Sequence, residues 1–242
     1  MRRSGRLAQR ILNRVGEAAV EGASTHDLDK IARRLLEEAG ARSPFLGYRK
    51  KHIVPFPGAI CTSVNGAVVH GVPTPAPLEN GDIVSLDCGV ILQGWIGDTA
   101  GTFAVGEISP RAERLMRITR EALFLGSEQA RVGNRIGDIS FAIQHHVETH
   151  GYTVVKDLVG HGVGRTMHED PNVPNFGEAH KGPKLRAGMT IAIEPMVNEG
   201  KEDVRQLDDG WTCVTKDGSL SAHFEHTVAI LSDGPEILTI DE

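Results

Sequence analysis

Four carboxylates stand in runs of residues that otherwise read as protein interior. Asp87 lies in VSLDCGV, Asp98 in IGDTAGTF, Glu194 in TIAIEPMV and Glu225 in HFEHTVAI. His161, in LVGHGVG, has the same apolar, glycine-bearing flanks. A buried carboxylate is costly unless it is paired or binds a metal. Few lysines or arginines lie near these runs, so the chain must bring the acids to a shared counter-charge. Two divalent cations would neutralise four carboxylates. Taken singly, each acid reads more readily as a solvated strand or turn residue; the five together, in this order, point to one two-metal site.

Length and composition set the frame. A chain of 242 residues with 40% hydrophobic and 24% charged residues fits a globular protein with a large core. The excess of 32 acidic over 26 basic residues gives a net charge of −6, which argues against nucleic acid as the main partner. The start, MRRSGRLAQRILNRVG, lacks the apolar stretch of a signal peptide, and no run has the length of a membrane span. Cys61, Cys88 and Cys213 form no CxxC pair, so a disulfide framework is not expected and a cytoplasmic location is.

An offset of 111 residues superimposes the start of the chain on its middle. Leu7 falls on Ile118, Leu12 on Leu123, Gly22 on Gly133, Asp27 on Asp138, Leu28 on Ile139 and Gly40 on Gly151. Each copy reads as helix, glycine turn and second helix. Ser24 to Asp27 resembles a capping box, Ser109-Pro110 suits a helix start, and Gly40 and Gly151 suit helix ends. Strand-rich segments follow, at roughly 53–105 and 152–240. The expected fold is α+β: one domain over 1–242, with two related halves at about 5–105 and 110–240 and helices packed on an antiparallel sheet. Chance similarity of amphipathic helices is the competing reading.

Local geometry sharpens the site. GDIVSLDCGVILQGWIGDTAGTF reads as two strands joined near Leu92-Gln93-Gly94, which sets Asp87 nearly opposite Asp98. Metals about 3.5–4 Å apart could be shared by such a pair. Glu194 precedes Pro195 and so should lie in extended backbone. GHGVG superficially matches a phosphate loop, but Pro171 and Pro174 follow where a helix should begin, so its glycines are expected to let substrate or metal approach. His70, in NGAVVHGVP, and His168, in TMHEDP, are candidate substrate-facing groups among eleven histidines.

The ordered set NGAVVHGVP, SLDCGV, GDTAGTF, GHGVGRTMHEDP, TIAIEPMV and FEHTV closely resembles methionine aminopeptidases of type I, over about Gly5 to Thr239. The resemblance implies a pita-bread fold and removal of the initiator methionine when the next residue is small. It implies five metal ligands: Asp98 and Glu225 bridging two ions, Asp87 completing one site, His161 and Glu194 the other. Cobalt, manganese, iron and zinc all suit this donor set. Glu194 would also accept a proton from water, His70 would contact the peptide nitrogen and His168 the oxyanion. Cys61, Trp211, Tyr48, Phe56, Phe45 and Met167 would wall the methionine pocket, and Asn65 and Ser221 would flank a monovalent cation. Substrates would be nascent polypeptide N-termini at the ribosome, met by a monomer, with no membrane or nucleic acid required.

Three departures from the family stand out. RKKHIVPFP is several residues longer than the usual segment and carries Arg49, Lys50, Lys51 and His52. Met167 replaces a frequent aromatic, and the lead-in before SGRLAQRIL is short. The stretch from His168 to Glu194 lacks the helical insertion of type II enzymes, and a cysteine-rich zinc extension is not expected. An Xaa-Pro peptidase on the same fold remains an alternative, although its histidine motifs differ from GHGVGRTMHEDP. A binding module that has lost its metals is another.

Overall fold

The computed structural model describes residues 1–50 and 53–240; Lys51 and His52, from the basic segment after Tyr48, lie outside them. The chain runs α1 (Arg2–Glu17), α2 (Thr25–Glu38), β1 (Cys61–Val64), β2 (Ala67–Val69), β3 (Ile83–Leu92), β4 (Trp95–Ala104), α3 (Pro110–Glu128) and α4 (Ile136–Thr149). Short strands follow: β5 (Thr153–Val154), β6 (Gly160–Gly162), β7 (Glu169–Val173), β8 (Thr190–Ile193), β9 (Met196–Asn198), β10 (Val204–Gln206) and β11 (Cys213–Thr215). Then come β12 (Ser221–His223), β13 (Glu225–Leu231) and β14 (Gly234–Ile237).

The helix pairs recur at the spacing read from the sequence. α2 and α4 each have 14 residues and start 111 positions apart. Ser24 caps α2 by accepting from the Asp27 N–H at 3.2 Å, while Asp27 accepts from the Ser24 N–H at 3.4 Å. In the second copy Asp138 accepts from the Arg135 N–H at 2.8 Å, which is half of the same device. Gly40 and Gly151 follow α2 and α4 with φ of +61° and +83°, a conformation that glycine adopts without a Cβ clash.

An eight-stranded antiparallel sheet runs in the order β1-β3-β4-β13-β8-β6-β7, with β14 also paired to β13. Two three-stranded sheets, β10-β11-β2 and β12-β9-β5, complete the β structure among the described residues. Each helix pair covers its own core. Leu7, Leu12 and Leu28 pack with Val84, Leu86 and Val90, while Ile118, Leu123 and Ile139 pack with Ile191, Ile193 and Val228. The residues aligned by the 111-residue offset therefore fill matching places in the two cores. A third cluster holds Phe45, Phe56, Cys61, Met167 and Trp211, with Tyr48 against it.

The hairpin register differs from the expectation. Gln93 and Gly94 alone form the turn, both with positive φ, and Leu92 pairs with Trp95. Asp87 therefore faces Ala100, and Asp98 faces Gly89. The two aspartates share a face but sit diagonally, two places apart, because the turn is one residue shorter than anticipated.

One buried carboxylate ties α2 to the site. Asp29 accepts from the Ala59 and Ile60 N–H groups at 2.6 and 3.3 Å and from Arg33 Nε at 2.6 Å. These bonds fix the backbone immediately before Cys61. Asp29→Ala leaves two enclosed N–H groups without a partner and should cost roughly 2–4 kcal/mol in urea denaturation. Arg33→Met, whose guanidinium is partly exposed, should cost less than about 1 kcal/mol. Equal losses, or none for Asp29→Ala, would contradict this role.

Candidate metal centre

Five neighbouring strands of the large sheet each bring one of the five sequence candidates to a common face. Asp87 is on β3, Asp98 on β4, Glu225 starts β13, Glu194 follows β8 directly, and His161 is central in β6. Their sheet order, β3-β4-β13-β8-β6, has no gap. Residues far apart in sequence thus meet because antiparallel pairing places them about one strand spacing apart.

Asp98, His161 and Glu225 are buried, and one ligand atom from each lies within 4.8 Å of the others. His161 Nε2 stands 3.8 Å from Asp98 Oδ2 and 3.6 Å from Glu194 Oε1. His161 Nδ1 lies 2.9 Å from the Gly162 carbonyl oxygen, so the ring N–H is donated there and Nε2 presents its lone pair to the acids. Backbone clamps hold the set. The Thr227 hydroxyl donates to the Asp98 carbonyl at 2.8 Å and accepts from its N–H at 3.0 Å. The Thr99 hydroxyl donates to the Glu225 carbonyl at 2.9 Å, and Asn175 Nδ2 to the Glu194 carbonyl at 3.0 Å.

The chemistry of this group fits divalent metal. Asp87 Oδ1, Asp98 Oδ1 and Glu225 Oε1 are enclosed and accept no hydrogen bond. Three orphaned carboxylate oxygens in one place call for a cation. Burial, then mutual repulsion, pushes the Asp87 and Glu225 carboxyls well above their usual range. Burial raises Asp98 to about 6 and Glu194 to about 7, against the opposing pull of His161. Asp87 and Glu194 are only half-buried because they face a cavity, but the surrounding protein still strips most of their water.

That cavity, about 520 Å³, is lined by every predicted catalytic, metal-ligating and pocket residue. Phe56 and Trp211 meet edge to face at 5.4 Å between centroids, and Tyr48 and Trp211 at 6.3 Å. His70 has φ +58°, a costly conformation for a residue with a side chain, and burial lowers its pKa to about 3. His168 is exposed, its ring 4.5 Å from that of His161 and its Nδ1 3.3 Å from the Tyr48 hydroxyl. Asn65 and Ser221 are not in the lining; they meet through a bond from the Ser221 N–H to the Asn65 carbonyl at 3.0 Å.

One expectation changes. No helix follows GHGVG, in keeping with the prolines that argued against a phosphate loop. Its glycines serve strand packing rather than substrate access: a Cβ on Gly160 would strike the Ala192 carbonyl, and one on Gly162 the Asp170 carbonyl. One residue was missed. His223 is buried, its Nε2 lies 3.6 Å from Glu194 Oε2, and that nitrogen has no hydrogen-bond partner. Burial holds its pKa near 3, so the ring is neutral. Its place two residues before Glu225, in HFE, was the available signal.

Comparison with known proteins gives a consistent picture. The sequence profile of metallopeptidase family M24 matches residues 1–232. A methionine aminopeptidase of Clostridium perfringens is 53% identical over 240 residues, covering 99% of this chain and 94% of that protein. The crystal structure of methionine aminopeptidase from Rickettsia prowazekii superimposes with a TM-score of 0.95 at 40% identity, covering 99% of this chain and 95% of that one. A prolidase from Pyrococcus horikoshii has a TM-score of 0.78 at 23% identity, covering 100% of this chain and 61% of that one, a likeness of fold alone.

The raised carboxyls set a pH dependence. A group whose folded pKa is raised stabilises the native state below its unfolded value, and that stabilisation is lost as pH climbs through the folded value. Without divalent ions the site therefore loses stability as pH rises through about 6 for Asp98 and about 7 for Glu194. Divalent ions must displace those protons, so their stabilisation should grow with pH. Thermal melts with manganese and with chelator should differ little at pH 5.5 and by several degrees at pH 8. His70, His223 and His226, which burial keeps neutral across this range, cancel in that comparison. An ion-independent midpoint at pH 8 would contradict a metal site.

Proposed function

This chain belongs to metallopeptidase family M24, in its methionine aminopeptidase branch, and from that premise we propose how its own residues carry the reaction. It removes the N-terminal initiator methionine from nascent proteins and peptides whose second residue is small. The observation that carries the residue assignments is the gapless row of five strands, each delivering one candidate ligand to the floor of a cavity with an aromatic wall.

We assign two divalent ions to the floor. Asp98 and Glu225 would be shared by the two ions, with Asp87 holding one and His161 and Glu194 the other, in the order of their strands across the sheet. The orphaned oxygens and the charge of four carboxylates support two ions rather than one. Oxygen and nitrogen donors suit manganese, iron, cobalt or zinc. Such ions, when bound, acidify water and polarise a carbonyl. A monovalent cation beside Asn65 and Ser221 is supported only by their juxtaposition.

The protein side of the reaction follows from the lining. Phe45, Phe56, Tyr48, Trp211, Cys61 and Met167 enclose an unbranched apolar side chain, and Met167 brings a deformable thioether to that wall. The floor acids attract a free α-amine, which fits removal of a terminal residue. Glu194 can hold a proton taken from water and return it to the leaving amine. Neutral His70 can donate an N–H to the scissile nitrogen. His168, whose Nδ1 is beside Tyr48, can donate from Nε2 to the developing oxyanion. The whole chain would act as one catalytic domain, a monomer in the cytoplasm meeting nascent chains at the ribosome. The described residues contain no helix long and apolar enough to cross a membrane, and the net charge is −6.

After metal reconstitution, Met-Ala-Ser should be hydrolysed at least about 100-fold faster than Met-Arg-Ser, with Ala-Pro-Ser untouched. Preferred cleavage of Ala-Pro-Ser would instead indicate an Xaa-Pro peptidase. His70→Ala and His168→Ala should each keep their metal content yet lose kcat by roughly 10²–10⁴-fold. Loss of metal together with rate would make either histidine a ligand and overturn its assignment.

A further inference from the structure

We propose that Lys50 is a specificity-determining residue that favours substrates with acidic side chains beyond the second position. The inference rests on the methionine aminopeptidase reading and concerns the part of the cavity through which the rest of the peptide leaves.

The segment that departs from the family pattern is anchored to the pocket wall. The Gly47 N–H donates to the Phe56 carbonyl and the Phe56 N–H to the Tyr48 carbonyl, each at 2.9 Å, closing its neck. Trp211 Nε1 donates to the Val54 carbonyl at 2.8 Å, and the Ile53 N–H to the Lys50 carbonyl at 3.3 Å. Lys50 Nζ then lies 4.8 Å from the centre of the Trp211 ring. A cation on an indole face is held by the ring quadrupole yet keeps N–H donors free.

Among the described residues Lys50 is the only lysine or arginine in the cavity lining. Among the described residues no carboxylate pairs with it, although acids line much of the cavity. The floor carboxylates are directed at metal and Glu169 is engaged by the Arg165 and Thr166 N–H groups at 2.9 Å, which leaves the exposed Asp157 and Asp170 as the other acids of the lining. With the α-amine at the floor and the methionine side chain among the aromatics, the chain beyond the scissile bond must leave past the exposed residues of the lining. Lys50 and His168 are exposed there, beside Tyr48 and Trp211. An unpaired cation in that place attracts a carboxylate and repels a basic side chain, chiefly through encounter and retention of substrate.

The test compares Met-Ala-Asp-Asp with Met-Ala-Lys-Lys on the metal-loaded enzyme, using Lys50→Gln and Lys50→Arg, with Met-Ala-Ser as neutral control. In the unaltered protein at low salt, kcat/KM should favour the acidic peptide by about tenfold. Lys50→Gln should cut that ratio to about twofold or less, and Lys50→Arg should keep most of it. Salt near 0.5 M should reduce the ratio, with kcat for Met-Ala-Ser little changed. A ratio unaffected by Lys50→Gln would overturn the proposal while Met-Ala-Ser turnover left the main activity intact. Failure of every protein to cleave Met-Ala-Ser would strike the underlying reading instead.

Discussion

Repulsion among enclosed carboxylates is the constraint on which this molecule turns. Asp87, Asp98, Glu194 and Glu225 meet where water is largely excluded, and three of them leave an oxygen without a donor. Each uncompensated charge in such a place costs several kcal/mol even after relaxation. The sheet nevertheless brings them together, and packing on both sides is strong enough to hold them. Helix pairs over separate cores, Leu12 and Leu28 in one and Leu123 and Ile139 in the other, supply that stability away from the site. Divalent ions turn the same cluster from a liability into a source of stability and reactivity, because they bind only where the ligands are already assembled.

On the proposed reading, selectivity would come from a different part of the same cavity. The third cluster offers aromatic and thioether surface next to the acids, where an apolar side chain and a free amine would be recognised side by side. Asp29 links the two regions by fixing the backbone that leads to Cys61, whose strand partner is Asp87. A carboxylate outside the cavity thereby helps to set the distance between pocket wall and metal floor. Lys50 adds a third element, charge at the exit, carried by a segment hung on Trp211.

The metal candidates stood out because an acid amid apolar residues is anomalous in any chain, and four such acids with one histidine, in a family order, point to one shared site. The paired helices were legible because caps and glycines mark their ends locally: Ser24 with Asp27, then Gly40, then the same pattern near Asp138 and Gly151. Strand register was not, since a two-residue turn at Gln93-Gly94 and a three-residue turn read alike in sequence but shift every facing pair. The roles of Gly160 and Gly162 were misread because close backbone approach from another strand leaves no local trace. His223 escaped notice for a related reason. Its significance lies in its distance to Glu194, which only the tertiary fold creates.

The most direct test is a count of bound ions. Anaerobic titration of the metal-free chain with manganese or cobalt, followed by calorimetry, should give two ions per chain, and crystals soaked likewise should give two anomalous peaks flanked by Asp98 and Glu225. Asp98→Asn, nearly the same size, should fold with an unchanged circular dichroism spectrum, lose tight binding at both sites and lose activity. Binding of two ions with turnover preserved in Asp98→Asn would contradict a shared bridge, and a wild-type chain that binds none would remove the metal centre altogether.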